Sequence, residues 1–217
     1  MDIVNNIVNI RRQIDKINKD VKIIAATKTQ SVEAIKLCMS SGLILAAGEN
    51  KVQELTSKYV DDFRWDFIGQ LQTNKVKYIV DKVELIHSVD RLPLAEKIEK
   101  ECAKIGKIQD VLVEINTGNE ETKGGINLDN LEEFLQSISQ FSHIRIRGLM
   151  AVAPAFYGEN ELRGVYTAVY NEFKKRQNEE FNCLSMGMSN DYMIAVECGA
   201  NIVRIGRGIF GERVYAK

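Results

Sequence analysis

CLSMGMSNDYMIAVECGANIVRIGRGIFGE, residues 183–212, decides the fold. It opens with the short apolar run CLSMG (183–187) and reaches a second, NIVRIG, at 201–206. Between them lies an amphipathic stretch with Ser189 placed to cap a helix and Gly199 placed to end it. Neither run alternates apolar with polar residues as a half-solvated strand would. Continuous apolar runs mark strands covered on both faces, and such strands are parallel, joined by helical crossovers.

The same unit recurs toward the N-terminus. Further apolar runs are KIIAAT (22–27), LILAAG (43–48), WDFIG (65–69), VELIHS (83–88), DVLVEIN (110–116) and IRIRGLMAV (144–152), which makes eight in all. The segments between them read as helices. Ser31 caps one carrying Ile35, Cys38 and Met39; Asp90 and Pro93 open another, which Gly106 closes. Leu131, Phe134, Leu135 and Ile138 form a further stripe, as do Leu162, Val165, Tyr166, Val169 and Phe173. Eight strand–helix units predict an α/β fold, a single (β/α)8 TIM barrel over 22–212. At about 27 residues per unit the barrel is a compact one. The competing architecture is an open doubly wound sheet with fewer strands. Ahead of the barrel, Ile3, Ile7, Ile10, Ile14 and Ile17 make one apolar stripe on an N-terminal helix within 1–19, with Asp2 as its cap. That helix is expected to pack on the barrel; a partner helix in an oligomer is the alternative.

Composition narrows the function. Lys+Arg is 29 and Asp+Glu is 30, a balance that argues against a dedicated nucleic-acid surface. No apolar run approaches the roughly 18 residues of a membrane helix. The start, MDIVNNIVNIRRQIDK, lacks the layout of a secretory signal. Cys38, Cys102, Cys183 and Cys198 form no CxxC pair, as expected of free thiols in a reducing cytoplasm. His87 and His143 have no metal-ligand neighbours at useful spacing.

Barrel chemistry gathers at the C-terminal ends of strands. Lys28 follows the first strand, where desolvation makes an amine a nucleophile toward carbonyls; a lysine emerging into solvent fits the spacing as well. SMGMSND (185–191) and VRIGRGIFGE (203–212) follow strands seven and eight, where barrels commonly bind phosphate through backbone N–H groups and a helix N-terminus. His87 and Asp90 read as a strand end and a helix cap rather than an acid/base pair. Lys123, in NEETKGGIN, reads as a surface lysine on the rim of the barrel mouth.

The chain resembles the pyridoxal phosphate homeostasis proteins (YggS/PROSC type), which are related to the N-terminal barrel of alanine racemase. The resemblance rests on AATKT (25–29), GENKVQE (48–54), WDFIGQLQTNKVK (65–77), IHSVDR (86–91), VLVEINTGNEETKGGI (111–126), RGLMAVAP (147–154), LSMGMSND (184–191) and VRIGRGIFGE (203–212). Eight pieces in order, spread over nearly the whole chain, are far more specific than any one of them.

The resemblance implies a barrel of the fold-type III kind and pyridoxal 5′-phosphate (PLP) as cofactor. It implies that Lys28 forms the Schiff base and that Ser189, with backbone from Met188, Gly206 and Arg207, holds the phosphate. Arg204 would face the pyridine nitrogen and keep it unprotonated, weakening the ring as an electron sink. Asn50 would line the pocket near the ring. Three positions depart from the family: Ala47 stands where phenylalanine is usual, Lys51 where tyrosine is common, and Arg207 where threonine is common.

A cytoplasmic, non-catalytic PLP carrier that delivers the cofactor to PLP-dependent apo-enzymes is the expected function, and the expected state is a monomer. The alternative is a PLP-dependent amino-acid racemase with weak one-base activity. Related racemases draw a tyrosine from a second, β domain, and this sequence ends at Lys217, directly after the barrel. A cofactor-free lysine aldolase fits the barrel but not the resemblance of the phosphate loops.

Overall fold

The computed structural model describes residues 2–118 and 124–212. Within them, eight strands form a closed barrel in sequence order: β1 (Lys22–Ala26), β2 (Ala46–Glu49), β3 (Trp65–Phe67), β4 (Leu85–Val89), β5 (Gln109–Ile115), β6 (Ile144–Ala151), β7 (Cys183–Ser185) and β8 (Ile202–Ile205). Every pairing is parallel, and β8 closes onto β1 with Ile24 opposite Arg204 and Ala25 opposite Ile205. The (β/α)8 reading therefore stands and the open sheet falls. In the second run the strand starts only at Ala46, although the Leu45 amide already bonds to the Ile23 carbonyl.

The helices among the described residues are α1 (Ile3–Asp15), α2 (Val32–Met39), α3 (Val52–Lys58), α4 (Leu92–Ile105), α5 (Leu131–Ile138), α6 (Glu159–Arg176), α7 (Tyr192–Glu197) and α8 (Arg207–Phe210). Between β3 and β4 the crossover is a 3-10 turn over Thr73–Tyr78. Asp2 caps α1 and Ser31 caps α2 through the expected side-chain bonds, and Gly106 ends α4 in the left-handed conformation at φ 63°.

Two expected caps are corrected. Arg91, not Asp90, holds the cap position of α4, and the Asp90 carboxylate pairs with the Arg91 guanidinium. Asp191, not Ser189, precedes α7. The Ser189 hydroxyl turns to a different helix, accepting from the Gly208 amide of α8 at 3.1 Å.

The isoleucine stripe of α1 does pack on the barrel. Ile7, Ile10 and Ile14 are buried among Val21, Ile23, Cys38, Val203 and Ile209. Each such side chain contributes about 1.5–3 kcal/mol by leaving water. Asn6 adds a bond from its side-chain amide to the Ile209 carbonyl at 2.9 Å, so α1 braces α8.

Inside the barrel a polar line replaces part of the usual aliphatic filling. Arg64 Nε donates to Asp66 Oδ1 at 2.9 Å, and Asp66 Oδ2 lies 3.3 Å from His87 Nε2. His87 Nδ1 lies 3.1 Å from the Ser185 hydroxyl, which accepts from Arg204 Nη1 at 2.6 Å. Burial pushes the His87 pKa down despite Asp66, so the ring is neutral. Its one hydrogen then belongs on Nε2 facing Asp66, and Nδ1 accepts from Ser185. His87 is thus a fully buried mid-strand residue rather than a strand end.

Candidate active site

The chain after β1 makes a tight turn in which the Gln30 amide donates to the Thr27 carbonyl at 3.0 Å. Lys28 and Thr29 are its two central residues. Thr29 has φ 67°, the sign a type II turn demands at that place and a conformation glycine adopts freely. A β-branched residue held there costs on the order of 1–3 kcal/mol. The turn puts the half-buried Lys28 on the wall of a cavity of about 690 Å³ at the C-terminal end of the barrel. That volume is in the range of small-ligand and cofactor sites.

The far end of the sequence supplies the rest of the lining. Met188 and Ser189 follow β7; Arg204 lies near the end of β8; Gly206 and Arg207 open α8. Six of the seven residues expected from sequence thus share one cavity. Asn50, at the end of β2, is not among its lining residues. Its side-chain carbonyl oxygen is buried with no hydrogen-bond partner among the described residues. Lys123 lies outside the described residues.

Each element of the lining is positioned by identifiable contacts. Arg204 is anchored by its Nη1 to the Ser185 carbonyl (2.8 Å) and hydroxyl (2.6 Å), and by Nη2 to the Ala151 carbonyl (2.9 Å). Burial pulls its pKa down, while Tyr166, Glu114 and Asp191 favour its charge. Asp191 organises the loop after β7. It accepts from the Met188 amide at 2.5 Å and from the Tyr166 hydroxyl at 2.8 Å. That loop turns at Gly187, with φ 89°, where an added Cβ would sit 2.6 Å from the Ala195 Cβ.

The start of α8 is similarly close-fitted. A Cβ on Gly206 would stand 3.2 Å from both the Cβ and the carbonyl oxygen of Ala26. The first amides of a helix have no partner inside it. Arg207, mostly exposed, extends over this region and donates to Asn190 Oδ1 at 2.5 Å. A long, charged side chain bonded to the neighbouring loop thus stands at this position.

Sequence reading missed Asp191 as the organiser of the loop after β7, although it lies within the motif. It also missed Glu114, whose carboxyl is pushed up to about 7 by burial and by nearby Asp90, against Arg204 and Arg91. Among the described residues no cluster of His, Cys, Asp and Glu is arranged to hold a metal, and no helix is long and apolar enough to cross a membrane.

The model of the family described as "Alanine racemase, N-terminal domain" matches residues 2–214. The pyridoxal phosphate homeostasis protein of Aquifex aeolicus is 43% identical over 202 residues, 89% of this chain and 88% of its own length. The chain belongs to the pyridoxal phosphate homeostasis protein family. PipY of Synechococcus elongatus, solved with PLP bound, superposes with a TM-score of 0.83 at 28% identity, covering 97% of this chain and all of PipY. The alanine racemase of Clostridium difficile superposes at 0.74 with 17% identity, over 96% of this chain and 57% of the racemase, and shares the fold. Membership fits the geometry: the AATKT, SMGMSND and VRIGRG segments of this chain, on which the resemblance rests, meet at one cavity.

Proposed function

We propose that this protein binds PLP in the cavity at the barrel mouth, holds it through Lys28, and buffers and passes it to PLP-dependent apo-enzymes. The observation that carries the reading is the sharing of one cavity by Lys28 and the Ser189–Gly206–Arg207 lining. An amine on one strand end and a glycine-lined, hydroxyl-bearing helix start on another suit a ligand with an aldehyde and a phosphate. When bound, PLP supplies an aldehyde able to link covalently to an amine, and a dianionic phosphate.

The chain's own residues would divide the work as follows. Lys28 Nζ would be the covalent attachment point. The Ser189 hydroxyl and the amides that open α8 would take the phosphate, with Arg207 adding positive charge. The guanidinium of Arg204, fixed by Ser185 and Ala151, would face the ring nitrogen without giving it a proton. Asn50, expected from the resemblance near the ring, does not line this cavity and is given no contact with the cofactor. The barrel over 22–212, with its N-terminal helix, would act as one unit and as a monomer in the cytoplasm. The relatives' name as homeostasis proteins supports a carrier over an enzyme.

The test is an absorbance titration with PLP, followed by borohydride reduction and peptide mapping. A visible band that is lost on reduction, with the label on Lys28 and absent from Lys28→Ala, supports the reading. Holo protein should then activate a PLP-requiring apo-enzyme and show negligible racemisation of amino acids. No band, or a label elsewhere in the cavity, rejects the assignment of Lys28. Robust racemisation favours the enzyme.

A further inference from the structure

We propose that Glu54, with its partners Lys58 and Glu49, is a positioning group that sets the direction of Lys28. The proposal rests on the reading of Lys28 as the PLP-linked lysine. Lys28 stands between two threonines, and both are gripped by the same ionic cluster from the second strand–helix unit. On one side, the Thr29 amide donates to Glu54 Oε2 at 2.7 Å. On the other, the Thr27 hydroxyl donates to Glu49 Oε1 at 2.9 Å, and the Thr27 carbonyl accepts from Lys58 Nζ at 3.2 Å.

Lys58 joins the two halves. Its ammonium lies 3.0 Å from Glu49 Oε1 and 2.9 Å from Glu54 Oε2. Glu49 is fully buried, and burial pushes its carboxyl up against the opposing pull of the Lys58 ammonium and the Thr27 hydroxyl. At Glu54, burial opposes ionisation, but the Thr29 amide and the Lys58 ammonium outweigh it and hold the carboxyl below the usual range.

None of the three charged residues lines the cavity. They reach it only through the turn. What the cluster holds is the left-handed conformation of Thr29, which a glycine would adopt unaided and a threonine does not favour. Releasing the Thr29 amide would let the turn relax toward an ordinary conformation and swing the Lys28 side chain. Ring and phosphate contacts contributed by the loops after β7 and β8 would be untouched.

The experiment is a cycle of Glu54→Ala, Thr29→Gly and the double variant, each with PLP affinity, rate of covalent link formation and urea stability measured. Glu54→Ala should weaken PLP binding about tenfold and slow link formation by a similar factor. In the Thr29→Gly background the same change should cost under about threefold, because glycine holds the turn alone. Glu54→Gln, which retains an oxygen acceptor for the Thr29 amide, should stay within about threefold of the parent. In a Lys28→Ala background, Glu54→Ala should leave the residual, non-covalent PLP affinity unchanged. Equal losses with and without Thr29→Gly, a loss that persists without Lys28, or lowered stability with unchanged PLP binding and kinetics would each overturn the proposal. A parent protein that forms no link at Lys28 rejects the underlying reading itself, and is recognised before any variant is compared.

Discussion

Arg204 and Ser185 are bonded twice inside the barrel, through the serine carbonyl at 2.8 Å and its hydroxyl at 2.6 Å, both from one guanidinium nitrogen. The serine passes the contact on to neutral His87, and His87 to Asp66. Arg204, which lines the cavity, is therefore held by a polar line crossing the barrel rather than by the rim loops alone.

Arg204→Gln should lower unfolding free energy by about 3 kcal/mol, because a charged donor with three buried acceptors is lost. Arg204→Lys should recover only part of this, since an ammonium lacks the planar fork that reaches Ser185 and Ala151 together. Urea denaturation of the three proteins checks both expectations. A change below about 0.5 kcal/mol for Gln would show that the line does not persist in solution.

Ser189→Ala should weaken PLP binding about tenfold, or about 1.4 kcal/mol. The hydroxyl accepts from the Gly208 amide at 3.1 Å and, in the proposed function, would also meet a phosphate oxygen. Competition by inorganic phosphate against PLP separates the two contacts. If only the helix start suffers, stability falls while the phosphate inhibition constant holds; a lost phosphate contact raises that constant as well.

Stability should decline as pH rises between about 4.5 and about 7, through Glu114. Its folded pKa, about 7, lies above the ordinary 4.5, chiefly because burial disfavours the carboxylate. Over that interval the unfolded chain releases the proton that the folded chain retains, so the stabilisation present at low pH is lost. The expected size is of the order of 2 kcal/mol, smaller than full burial would give because the side chain is partly exposed. Urea midpoints of wild type and Glu114→Gln across this range should diverge, with the variant the flatter. Parallel curves would remove Glu114 as the source.

The strands were readable because each is a short apolar run bounded by polar turns, and eight in order leave few topologies. The loops after β7 and β8 were readable because glycine and serine there stand out against the helices around them. The destination of Ser189 was not. A serine ahead of a helix reads as its cap, and only the approach of β8 to β7 reveals that a different helix claims the hydroxyl. Asn50 was placed correctly at a strand end, but sequence does not tell which way a side chain leaves that end. The Glu49–Lys58–Glu54 cluster and the Asp66–His87–Ser185 line escaped for a common reason. Every member is a polar residue unremarkable in its own segment, whether on a strand or, for Glu54 and Lys58, on α3, and the contacts that give it meaning reach other segments, up to 98 positions away for His87 and Ser185.

The closing of β8 onto β1 carries a consequence for biosynthesis. Lys28 leaves the ribosome early, while Ser189, Gly206 and Arg207 follow only after seven strands have been made. They become neighbours only when the eighth strand seats beside the first. A nascent chain still lacking β8 has Lys28 without the lining that Arg204, Gly206 and Arg207 supply. The seam is thus the step that completes the cavity, and the order of synthesis makes it the last.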